Sequence, residues 1–160
     1  MRLSRLIAPT LAAFVLVACG DSASEKDQAL LDEAGKIHLE ASEIQEAVEP
    51  ELTVLDSLKT QLTSRRATLK DTAAVSAALA QISGVMAAME AWEENAVEVP
   101  GVEHNHEHAE GEGHHHHEHK KAPDVTAAQM LDIQKEIKKN IDQIQADVKT
   151  AKAAARTALQ

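Results

Sequence analysis

Residues 126–160 read TAAQMLDIQKEIKKNIDQIQADVKTAKAAARTALQ, and this stretch decides the fold. Met130, Ile133, Ile137, Ile141, Ile144, Val148, Ala151 and Ala155 recur in steps of three and four, the spacing of one apolar stripe on an α-helix. Lys138, Lys139, Asp142, Gln143, Asp147 and Lys149 fill the outer face. The pattern predicts a helix of roughly 34 residues, about 50 Å long at 1.5 Å per residue. Its stripe is one-sided, so other helices must cover it.

The covering helices lie upstream. Leu30, Ala34, Ile37, Ala41, Ile44 and Val48 repeat the same spacing, with Ser24 as a candidate cap after the polar stretch 20–25. Pro50 is expected to end or kink that helix, because proline lacks an N–H and crowds the preceding turn, and it is suited to open the next. Leu52, Leu55, Leu58, Leu62 and Leu69 mark a second apolar side. A break follows at Lys70-Asp71-Thr72, with Asp71 or Thr72 as N-cap. Val75, Leu79, Ile82, Met86, Met89 and Ala96 form a third stripe, which Val97 to Val102 with Pro100-Gly101 ends. Order resumes at Pro123-Asp124.

The expected fold is therefore all-α. It is an antiparallel up-down bundle of about four helices, with a disordered histidine-rich loop between helices three and four. In domain terms, 1–18 reads as a signal peptide and 19–25 as a lipidated tether. Residues 26–99 read as the three-helix part of the bundle, 100–123 as the flexible loop, and 124–160 as the long C-terminal helix. An elongated coiled-coil hairpin is the alternative, and the oligomeric state is left open.

That loop holds the chemistry. Residues 103–119 read EHNHEHAEGEGHHHHEH, with eight of the nine histidines of the chain and almost nothing apolar. Too little apolar area is present to offset the entropy of ordering such a segment in a core. Neutral imidazole is the commonest protein ligand for transition metals. His104, His106 and His108 alternate, which in extended chain spaces them about 6–7 Å apart on one side. His114, His115, His116, His117 and His119 form a denser group beyond Gly111 and Gly113. Glu103, Glu107, Glu110, Glu112 and Glu118 add carboxylate oxygens. The donor set suits Zn(II), Cu(II) or Ni(II), with copper highest in raw affinity. Protons compete for the same nitrogens, so binding is expected to weaken as pH falls through about 6.5. Ordering a flexible segment costs entropy, which suits buffering, scavenging or delivery of metal. The alternative is a structural or interaction lipoprotein with a helical docking surface, its histidines forming a solvated or pH-responsive linker.

Little in the sequence speaks for an enzyme. There is no HExxH, no Gly-rich phosphate loop and no acid–base pair in a pocket-forming context. His38, beside Ile37, is read as a solvated or packing residue, and Met86 and Met89 as core filling. Trp92 is expected to cover the bundle end beside the loop. The chain carries 16 basic and 26 acidic residues, net −10, which argues against nucleic acid; Arg65-Arg66 is too small a patch to reverse that.

The N-terminus points to the cell envelope. Arg2 and Arg5 precede an apolar run from Leu6 to Val17, too short to span a bilayer permanently. Leu16-Val17-Ala18-Cys19 follows and resembles a bacterial lipobox. The resemblance implies removal of residues 1–18 and lipidation, palmitate included, of Cys19, the single cysteine. The protein would then be held in the membrane by its acyl chains. Gly20, in the place where an Asp tends to retain lipoproteins in the inner membrane, implies the outer membrane and a periplasm-facing body with envelope-protein partners.

A second resemblance covers residues 36–95. KIHLEASEIQEAVEPELTVLDSLKTQL and MAAMEAWEE are similar to small helical lipoproteins of Bacteroidota, some labelled viral A-type inclusion protein. His38, Pro50, Met89 and Trp92 are the matching positions, while Glu93 stands where that family tends to have another Met. The resemblance implies a helical lipoprotein and supplies no activity.

Overall fold

The computed structural model describes residues 21–102, 121 and 123–160. These form three helices: α1 (Asp21–Arg65), α2 (Thr72–Asn95) and α3 (Ala127–Ala158). No strand occurs among the described residues. The all-helical expectation holds, and the count of four does not. What was expected as two helices separated at Pro50 is the single 45-residue α1, with Pro50 inside it. Helix propensity penalises an interior proline by about 3 kcal/mol, but most helical stability in a protein comes from packing of the apolar face. Here Val48 and Leu55, on either side of Pro50, are both buried in one core cluster with Ile144 and Val148 of α3. Pro50 itself faces solvent. The helix also begins at Asp21, so Ser24 lies within it and not at its cap.

The order is up-down-up. Glu33, Glu40 and Glu51 of α1 pair with Lys135, Lys138 and Lys152 of α3, the first two at 3.7 and 3.9 Å. Both members of these pairs advance together along the chain, so α1 and α3 run parallel. α2 runs against them: Trp92 meets Ile137 and Val97 meets Gln134. α3 packs on both other helices, whereas α1 and α2 touch least.

The turn at the far end is built from local hydrogen bonds. The Arg65 carbonyl accepts from the N–H groups of Thr68 and Leu69, at 2.9 and 3.1 Å. Asp71 then caps α2 by accepting from the Ala74 N–H at 2.8 Å. α3 starts with a capping box. The Thr126 hydroxyl accepts from the Gln129 N–H, and the Gln129 side chain accepts from the Thr126 N–H at 3.0 Å.

The main core runs in steps of seven along α1: Ala41, Val48, Leu55 and Leu62, all 1% exposed or less. It meets Val75, Ile82 and Met89 of α2 and Ile141, Val148 and Ala155 of α3. A second, smaller cluster closes the opposite end. There Ala34, Val99, Met130 and Leu131 pack together, with Leu30, Leu31, Ile37, Val102 and Val125 around them.

Candidate functional site

Among the described residues, the polar atoms of the core concentrate toward the end of the bundle that the smaller cluster closes. α2 stops at Asn95, about halfway down α1, and residues 96–102 continue as a non-helical strap between α1 and α3. Ala96 and Val99 are buried. The strap ends in a turn in which the Val102 N–H donates to the Val99 carbonyl at 3.2 Å. Pro100 presets the first corner of that turn, and Gly101, at φ +83°, takes the left-handed second corner that a side chain would disfavour. A side chain on Gly35 would bring its Cβ to 2.8 Å from Val102 Cγ2, so a bare backbone at Gly35 lets the strap lie against α1.

Gln134 ties the three pieces together. It is fully buried, and its Nε2 donates to the Val97 carbonyl of the strap at 2.9 Å. Nε2 also lies 3.8 Å from the Met130 sulfur. Its Oε1 lies 3.1 Å from His38 Nδ1 of α1. The Val97 carbonyl can only accept, which fixes the amide with its nitrogen toward the strap and its oxygen toward His38. An amide oxygen can also only accept, so His38 carries a proton on Nδ1 and donates it. His38 is 2% exposed, and its backbone carbonyl accepts from the Ser42 hydroxyl at 3.1 Å. Nearby along α3, the Trp92 indole N–H donates to the Ile137 carbonyl at 2.9 Å.

Of the two expectations for His38, solvated or packing, its buried side chain meets the second. Trp92, 6% exposed, belongs to the main core and not to a cover beside the loop. Gln134 is a polar residue in a core position, so the apolar stripe of α3 does not include it. A signal was present: Gln134, Ile141, Val148 and Ala155 are seven apart, as are Leu31, His38, Gln45 and Leu52. Met89 is core and Met86 packs partly buried against it, as expected.

This cluster positions backbone. A groove elsewhere between α1 and α3, lined by Val48, Glu51, Gln145 and Lys152 among others, offers about 130 Å³. Small-molecule sites usually have roughly 300–1,000 Å³. No group of three or more His, Cys, Asp or Glu side chains is placed to hold a metal among the described residues. Cys19 and the eight histidines His104, His106, His108, His114, His115, His116, His117 and His119 lie outside the described residues. The structure does describe where the histidine stretch departs and returns: Val102 and Val125 pack on the same small cluster with Ala34, Val99 and Met130. α2 is long and apolar enough to cross a membrane by length and composition, yet its Val75, Ile82 and Met89 are buried in the bundle core.

No family model, curated protein or solved structure matches the chain.

Proposed function

We propose that the chain is a lipid-anchored protein of the bacterial envelope that binds a divalent transition metal through the histidines between His104 and His119. The observation that carries this reading is the density of imidazole: eight of nine histidines within 16 residues, interleaved with glutamates, in a chain of net charge −10. Zn(II), Cu(II) and Ni(II) are the candidate ions, and buffering, scavenging or delivery is the role that an N/O donor set of this composition serves. Cys19 is the proposed lipid attachment, with the outer membrane as its location and an envelope protein as the recipient of delivered metal.

The topology supports a consistent arrangement. α1 rises from the proposed anchor, and the histidine stretch leaves the body near Ala34, thirteen residues along α1 from Asp21. That is about 20 Å at 1.5 Å per residue. The metal-binding segment would then sit on the membrane-proximal end of the body. Because both flanks are held by one small cluster, the segment can be replaced without cutting the main core.

The test is calorimetric titration of residues 20–160 with Zn(II), Cu(II) and Ni(II), beside a version in which a Gly-Ser linker replaces 104–119. Binding at about 1 μM or tighter that vanishes with the segment is the expected result. Equal binding by both versions would remove the metal reading.

A further inference from the structure

The outer face of α2 differs from those of α1 and α3. Residues 72–89 contain no charged side chain, whereas α1 and α3 are charged along their outer faces. On the side of α2 away from the core, Ala73, Ala77, Ala80, Gly84, Ala87 and Ala91 follow one another in steps of 4, 3, 4, 3 and 4, and all are exposed. This is the seam period of a coiled coil, laid on a face that nothing in the described chain covers. The turn ahead of α2 carries Lys70, and the last turn of α2 carries Glu94, both exposed.

Three observations identify what fits this face. First, the spacing of the seam is the same in both directions. Run antiparallel against a copy of itself, it sets Ala73 against Ala91, Ala77 against Ala87, and Ala80 against Gly84. In that same register the turn that carries Lys70 lies beside the Glu94 end of the copy. A two-fold interface requires this kind of self-complementarity. Second, Glu90 and Glu94 occupy the last turns of α2, where a negative charge opposes the helix's own dipole; no basic residue offsets them there. Beside the N-terminus of an antiparallel copy the same charges are favourable. Third, Gly84 lies in mid-helix, where glycine is less stable than alanine, yet a Cβ there would meet nothing within 4 Å. Among the described residues no packing calls for a glycine here, whereas close approach of a second backbone does.

We propose that two copies of this chain associate through the outer faces of α2, antiparallel about a two-fold axis near Ile82, with Lys70 of each copy paired to Glu94 of the other. Alanine side chains let the two helices approach closely, and the end charges set direction and register. The association is independent of the metal-binding proposal and leaves the histidine stretches at opposite ends of the pair.

Sedimentation equilibrium of residues 20–160, from about 10 μM to about 1 mM, tests it, with Lys70→Glu, Glu94→Lys, the double swap and Gly84→Leu as variants. The wild type should show a monomer–dimer equilibrium. Each single charge reversal should weaken it by ~10-fold, and the swap should restore it to within ~3-fold. Gly84→Leu should abolish it. Lys70→Glu and Glu94→Lys both favour the dipole of α2, and the Gly84 site is open, so circular dichroism should report an intact bundle in every variant. A wild type monomeric throughout the range would overturn the proposal, as would a swap that fails to rescue. So would a monomer that instead floats with phosphatidylethanolamine–phosphatidylglycerol vesicles, which would mark the face as a lipid contact.

Discussion

His38 and the eight histidines of 104–119 place the same side chain in opposite surroundings. His38 sits in a helix, at a core position, with Gln134 fixing which ring nitrogen carries its proton. Its imidazole joins α1 to α3 and, through Gln134, to the strap at Val97. The others lie among glutamates and glycines with almost no apolar neighbour. An imidazole within a packed helix pair is committed to geometry, whereas the sequence around the other eight supplies almost no apolar material to pack against, which is the basis of the proposed metal role. Stability should therefore belong to the first region and metal affinity to the second, and each can be broken without the other.

The largest effect is expected from replacing all eight histidines of 104–119 with serine. Metal affinity should fall by ~100-fold or more, about 2.7 kcal/mol, while the free energy of unfolding in urea changes by under ~0.5 kcal/mol. Gln134→Leu is the mirror experiment. It strands the Val97 carbonyl and the His38 Nδ1–H in a buried site, so urea denaturation should show a loss of about 2–3 kcal/mol with unchanged metal affinity. Pro50→Ala should act with the opposite sign. It restores one N–H to a helix that already runs through this position, for a gain of about 1–2 kcal/mol after allowing for the more flexible unfolded chain. Thr126→Ala removes half of the α3 capping box and should cost about 1 kcal/mol. Were any of these three body variants to shift metal affinity, the division between the regions would fail.

The sequence was most legible where local and tertiary preferences agree. The apolar stripe of α3 and the Asp71 cap both stand where spacing and side-chain chemistry put them. Pro50 does not end the helix, because packing overrides the local preference for a break there. The seven-residue steps of Ala34, Ala41, Val48, Leu55 and Leu62 cross Pro50 in unbroken register, which a single helix requires. The site was least legible, because His38 and Gln134 are polar residues in core register, and a stripe drawn from apolar residues skips them. The strap was read only as the end of a helix. Its buried Val99 depends on α2 stopping short and leaving a groove between α1 and α3, a feature of tertiary arrangement alone.

The most direct measurement is pulsed electron paramagnetic resonance on the chain loaded with one equivalent of Cu(II), read for modulation by the remote nitrogens of coordinated imidazole. Strong imidazole modulation is expected in the wild type and in Gln134→Leu, and its loss when the eight histidines of 104–119 become serine. Modulation that persists in the serine variant, or is absent from the wild type, would contradict the metal-binding proposal.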